Sequence, residues 1–238
     1  MGRGDLCGKK SLICCIEKRG TPFLVLFFGL SALNLWAQLF EYSWLASGTK
    51  TLIIPALALW VFQRFHLNKQ LGWTLFFSWL GDLLLIPDGT PYFITGILAF
   101  WAAQLLYCRM MMGHFEGSFF QQFRKKKAVL PLLLLGGDLI FILQLMWSRL
   151  GVLLVPVSLY ATTLTVTGFL GLLMAAENRY KQTKILALGT LLFALSDSMI
   201  AFDAFYFERP QFTYWIMATY IPAQFCIALF LAPAQGEK

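Results

Sequence analysis

The sequence predicts an all-α membrane protein built as a bundle of eight transmembrane helices, and three observations predict it. Hydrophobic residues make up 58% of the 238 and charged residues only 13%, the balance of a polytopic membrane chain. Apolar runs approaching the ~20 residues needed to cross roughly 30 Å of hydrocarbon recur eight times. Lys and Arg gather on alternate loops, as they do when one face of the bundle is cytoplasmic.

Residues 1–21 read as a basic tail carrying Arg3, Lys9, Lys10, Lys18 and Arg19. Its apolar core near 12–16 is too short for a signal-peptide core, so the tail is expected to stay on the protein. Leu6 stands where a myristoylation site needs Ser or Thr. Cys14 and Cys15 are expected to be reduced thiols near the membrane, with reversible S-acylation as the functional alternative.

The transmembrane domain is expected over 22–232, followed by a tail at 233–238. Its first span, 22–40, carries Asn34 and Gln38 one helical turn apart, a spacing suited to hydrogen bonding between helices. The second, 51–65, is short, and Lys50 and Arg64 bound it and can snorkel to the interfaces. Lys50 is expected at the outer end as an interfacial anchor or a contact for a lipid phosphate. The third span, 71–87, reads LGWTLFFSWLGDLLLIP and holds Asp82, which five residues from Pro87 would lie roughly 8 Å below the helix end. A carboxylate inside an apolar span is costly and marks a candidate functional site.

The fourth span, 92–112, contains Phe100 and Gln104 one turn apart. The fifth, 128–147, contains Gly136-Gly137-Asp138, a third buried acid near mid-membrane for which structural protonation or pairing is the expectation. The sixth, 152–174, is rich in hydroxyls at Ser158, Thr162, Thr163, Thr165 and Thr167, which are ordinary packing glue between membrane helices. The seventh, 185–203, places Asp197 at the depth predicted for Asp82. The eighth, 212–232, pairs Tyr220 with Gln224. Asp203 and Glu208 fall at or beyond the end of the seventh span, where solvation accounts for them. Leu80-Gly81-Asp82 followed by Ala103-Gln104 is echoed by Leu195-Ser196-Asp197 followed by Ala223-Gln224, which suggests a parallel duplication of four-helix halves.

Eight spans put 16 of the Lys and Arg residues on one side and 3 on the other, so both termini are expected in the cytoplasm. The net charge of +7 is then a topology signal and gives no reason to invoke nucleic acid.

Other chemistries lack their parts. His66 and His114 fall in or next to cytoplasmic loops, so neither a three-histidine zinc site nor a histidine-activated Ser or Cys nucleophile can be assembled at the depth of the aspartates. Cys108 and Cys226 read as packing residues. Two buried carboxyl groups near each other hold one proton between them, and so offer an acid and a base at once. They would serve hydrolysis of an acid-labile ether through an oxocarbenium-like state, or proton-coupled transport or lipid binding. The residues alone leave both readings open.

A resemblance separates them. FSWLGDLLLIP in the third span, GILAFWAAQLLY in the fourth, GTLLFALSDSMIAFDAF in the seventh and YIPAQ in the eighth together resemble the lysoplasmalogenase (YhhN-like) family, from about Lys50 to the end of the eighth helix. The resemblance implies an eight-helix membrane hydrolase acting on the vinyl ether bond of lysoplasmalogens, giving a fatty aldehyde and glycerophosphoethanolamine or glycerophosphocholine. It implies Asp82 and Asp197 as the acid/base pair, Lys50, Gln104, Tyr220 and Gln224 as substrate-binding residues, a lysophospholipid and the bilayer as partners, and no metal or other cofactor. Gln104 stands where the family motif commonly has His; it can hydrogen-bond but cannot carry charge. A bacterial cytoplasmic membrane is the expected location.

Overall fold

The computed structural model describes residues 20–65, 68–116, 121–122, 124, 126–177, 182–204 and 211–232. The tail at 1–19 with Cys14 and Cys15, His66, Glu208, Arg209, the basic residues Lys125, Arg179 and Lys181, and the tail at 233–238 lie outside the described residues. Among the described residues the chain is helical with no strand: α1 (Thr21–Leu39), α2 (Ser43–Phe65), α3 (Lys69–Leu84), α4 (Thr90–Met112), α5 (Val129–Leu150), α6 (Leu154–Glu177), α7 (Thr183–Phe202) and α8 (Gln211–Leu231). Six stretches are long and apolar enough to cross a membrane. One of them runs from Val129 to Glu177 over 49 residues, and folds back on itself at Gly151, so that α5 packs along α6.

Each helix packs on its successor within 20–112 and again within 126–232, the two sets meeting where α4 lies on α6 and α8 on α1. Large apolar side chains point outward along the bundle, among them Val25, Leu33, Leu133, Ile140, Phe141 and Trp147. Such a surface suits hydrocarbon and not water.

Two helix boundaries differ from expectation, and both move a site residue. The helix containing Lys50 starts at Ser43, because Glu41 at φ 60 turns the chain sharply and the Tyr42 carbonyl opens the new helix by accepting from the Leu45 and Ala46 N–H groups. Lys50 is therefore about two turns inside α2 and is not an end anchor. α3 ends at Leu84, since Pro87 disfavours helical backbone at Ile86. Asp82 thus lies two residues from its helix end, roughly 3 Å, shallower than the 8 Å expected. Asp197 keeps its expected five-residue distance from Phe202. Asp138 is exposed on α5, at the border of the cavity toward α6 and α7, which corrects the reading of a buried acid: α5 touches the bundle along one narrow edge, with Pro131, Leu135, Met146 and Leu150 as its buried residues.

Polar side chains pin the helices together. The Asn34 amide donates to the Ala46 carbonyl at 2.7 Å and to the Thr49 hydroxyl at 2.9 Å, the interhelical role predicted for it, and it accepts from Gln38 of its own helix. On α6, the Thr163 hydroxyl accepts from the Trp101 indole and Thr167 meets the Cys108 thiol. Pro55 lies inside α2 and has no N–H to offer the carbonyl of Thr51 four residues earlier. Trp79 of α3 fills that need, its indole donating to the Thr51 oxygen at 2.8 Å.

Trp79→Phe orphans the Thr51 carbonyl and is expected to cost about 1–3 kcal/mol, read as a lower unfolding temperature in detergent. In a Pro55→Ala background the helix closes its own bond to Thr51, so the same substitution should cost less.

Candidate active site

Asp82 is 3% exposed at the end of α3, and an ionised carboxylate there needs a partner or a proton. α2 supplies the partner: Lys50 Nζ lies 3.7 Å from Asp82 Oδ1. α8 adds a donor, as the Tyr220 hydroxyl donates to Asp82 Oδ2 at 2.8 Å. A column of bonds continues inward from there. Gln224, one turn further along α8, donates from Nε2 to the Tyr220 oxygen at 3.1 Å and accepts at Oε1 from the Tyr107 hydroxyl of α4 at 2.7 Å. The amide so placed fixes the direction of both phenols.

Asp197 is 9% exposed and has a different environment. Its Oδ2 accepts from the Tyr160 hydroxyl of α6, and among the described residues no cation pairs with it. The Phe193 ring, one turn before Asp197, packs against Tyr220, which bonds Asp82, so the two aspartates share one region of the bundle although 115 residues separate them along the chain. Beside Asp197 opens a cavity of about 70 Å³ between α5, α6 and α7, walled mainly by apolar side chains such as Leu139, Ile142, Met146 and Leu164. Asp138 and Thr165 also border it.

Close packing sets the distance between the two halves of the site. Phe100, Phe193 and Tyr220 meet edge to face, with centroids 5.6–6.4 Å apart, and form the wall behind the carboxylates. Gly81 lets this cluster approach: a methyl group there would lie 2.5 Å from the Phe100 ring. Glycine immediately before Asp82 therefore lets α4 come close enough for the aromatic wall to stand against the acid.

All six residues singled out in the sequence meet in this region. Gln104 lies on α4, wholly buried beside Tyr160. His114 is remote, at the far end of α4, where its Nδ1 lies 2.9 Å from the Met110 carbonyl oxygen. Among the described residues no three His, Cys, Asp or Glu side chains gather closely enough to hold a metal ion. Sequence reasoning missed Tyr107, Tyr160 and Ser78. A faint signal existed for each: Tyr107 follows Gln104 by three residues and Ser78 precedes Asp82 by four, so each shares its helix face, and a tyrosine in mid-span, such as Tyr160, usually seeks a polar partner.

A sequence model of the YhhN family matches residues 45–231. The chain is 29% identical over 234 residues to lysoplasmalogenase TMEM86A of Bos taurus, with 90% of each chain covered, and 28% identical to TMEM86A of Homo sapiens over the same share of each. It is 31% identical to lysoplasmalogenase TMEM86B of Homo sapiens, over 82% of this chain and 79% of the relative. No solved structure matches the chain.

Lys50→Met strands the Asp82 charge. Removing one partner of a buried pair costs about 3–5 kcal/mol, and the lower end is expected here because Lys50 keeps 19% exposure. Thermal unfolding in detergent should show the loss, and the Lys50→Met/Asp82→Asn double variant should recover most of it.

Proposed function

The chain belongs to the YhhN family, and with its two aspartates set in unlike surroundings at one site, we propose that it is a membrane-embedded hydrolase cleaving the vinyl ether bond of lysoplasmalogens. The products are a fatty aldehyde and glycerophosphoethanolamine or glycerophosphocholine. Its relatives are named for lysoplasmalogenase activity, and the observation that carries the reading onto this chain is the difference between the two acids. Asp82 has an ammonium and a phenol as partners. Asp197 has a phenol, no cation, and an apolar cavity at its side.

That difference divides the labour of an acid/base pair. Asp82, neutralised by Lys50, serves as the carboxylate; Asp197 carries the proton. The lipid chain lies in the cavity between α5, α6 and α7, which brings the vinyl ether to Asp197. The acid delivers its proton to the distal alkene carbon, and the π electrons leave an oxocarbenium ion at the carbon bound to oxygen. Water adds to that carbon and yields a proton to Asp82. The resulting hemiacetal breaks its bond to the glycerol oxygen, which takes the proton that the hemiacetal hydroxyl gives up, and the aldehyde is released. One proton passing from Asp82 to Asp197 resets the pair.

Lys50, loosely paired at 3.7 Å and partly exposed, keeps N–H donors for the headgroup phosphate. Tyr220 and Gln224 hold Asp82 in register, and Gln104 faces the reaction from α4. This reading places eight spans in the bilayer: α3, with 16 residues, crosses at a thinned site, and α5 and α6 count separately. Both termini then lie in the cytoplasm, with the basic tail at 1–21 and the short tail at 233–238 flanking the domain at 22–232. The two sets of four sequentially packed helices agree with a parallel duplication. A multi-pass membrane location rests on the apolar helices and the relatives together; a bacterial cytoplasmic membrane rests on the sequence reading alone.

Fatty aldehyde release from lysoplasmenylethanolamine by the purified protein in detergent tests the proposal. Wild type should release aldehyde, and Asp82→Asn and Asp197→Asn should each lower kcat by about 10²–10⁴-fold while the protein stays folded. A well-folded wild type without release, beside a working control enzyme, overturns the reading. Ala161 also lines the cavity, so Ala161→Phe, which narrows it, should raise KM by about tenfold with a smaller change in kcat.

A further inference from the structure

Gln104 is 0% exposed, and neither its Nε2 nor its Oε1 has a hydrogen-bond partner among the described residues. Its Nε2 lies close to the Tyr160 oxygen, which has given its own hydrogen to Asp197 and keeps a lone pair for the amide, so Oε1 is the atom left without a donor. Ser78 Oγ is likewise buried and outside bonding geometry to any described residue; it lies beside the Tyr107 oxygen, whose hydrogen goes to Gln224. Buried polar groups in folded proteins are nearly always satisfied, and one left bare costs its full desolvation. Two such side chains lie in the same region of the bundle, next to the reacting acids.

Their placement follows from how α3 and α4 pack. Ser78 and Asp82 are one turn apart on the same face of α3. α4 runs antiparallel beside that face, held in register where Phe100 covers Gly81 and Leu85 covers Gly96. Continuing the register down the pair brings Ala103 and Gln104 to the level of Phe77 and Ser78. Gln104 thus stands between the α3 side of the site, with Ser78 and Asp82, and the side of Tyr160 and Asp197. The groups left free are the amide oxygen and the serine hydroxyl. A ligand that fits them is small, donates twice and accepts at least once.

We propose that Gln104 and Ser78 seat the water that attacks the oxocarbenium ion. This rests on the hydrolase reading and deepens it. The water donates one hydrogen to the Asp82 carboxylate and the other to Gln104 Oε1, and it accepts from Ser78. A lone pair then faces the cavity side, where Asp197 generates the cation. As the new C–O bond forms, the proton bound to Asp82 leaves the water for that carboxylate, while the proton on Gln104 stays and becomes the hemiacetal hydroxyl. Glutamine accepts without competing for the proton, so Asp82 remains the base.

The test compares wild type with Gln104→Leu, which keeps side-chain bulk, and with Gln104→Met as a second variant. Aldehyde release and unfolding temperature are both measured in detergent. A displaced attacking group costs about 10² in rate, so kcat should fall by about that factor with KM changed less than twofold. The unfolding temperature should hold or rise, because a buried amide oxygen without a donor has gone. A structural role for the amide predicts the opposite pattern, a lower unfolding temperature in both variants with rate falling alongside, and that result overturns the inference. Wild-type kcat in either folded variant, with aldehyde release by wild type intact, overturns the inference alone; no aldehyde from wild type overturns the hydrolase reading and the inference with it.

Discussion

A carboxylate in hydrocarbon has to be neutralised by its neighbours, and the pairing of Asp82 with Lys50 does this across α2 and α3. The pair is a demanding one. Both charges are costly to bring out of water, and the attraction between them repays that cost only if the two helices hold their register. Trp79 bonded to Thr51, one residue from Lys50, fixes that register on the same two helices. A proline inside α2, a liability for the helix by itself, thereby becomes the point at which α3 is fastened. The same α3 carries Gly81, Ser78 and Asp82 on to α4 and α8, so an error at the α2–α3 contact would propagate to every group of the site.

The two acids look alike in sequence and differ in place. Both follow a leucine and a small residue near the end of a helix. Yet Asp82 lies at the top of a column of bonded polar groups running through Tyr220, Gln224 and Tyr107, whereas Asp197 faces an apolar cavity with a single phenol. A duplicated four-helix half would begin with equivalent acids, and the partners contributed by other helices separate them. At the position of Tyr220 in the eighth helix the fourth has Phe100, which cannot donate, so Asp197 takes its hydroxyl from α6 instead. In the proposed reaction this asymmetry lets one carboxyl keep a proton while its neighbour stays charged.

Packing at the site favours function over local stability in two places. Gly81 gives up helix propensity so that the Phe100 ring can stand against the acid. Gln104 keeps a side-chain oxygen without a donor in the interior, a burden that an isosteric apolar residue would not carry. Natural proteins retain such concessions mainly where chemistry needs them.

The sequence by itself determined the membrane class, the helical architecture, the order of the helices and the presence of two aspartates inside apolar spans, because hydrophobic runs and charges inside them are local features that survive without neighbours. It placed Asn34 as a link between helices for the same reason, with Gln38 bonded to it from the same helix. It misplaced Lys50 and the depth of Asp82, since helix ends depend on the backbone at Glu41 and Pro87 rather than on hydropathy. It misread Asp138, because burial on α5 depends on how narrow an edge that helix presents to α6. Only the tertiary structure decided which polar groups meet: Tyr160 with Asp197, Tyr220 with Asp82, and Gln104 with neither. Partnership across helices is set by register and rotation about each helix axis, which composition and spacing leave free.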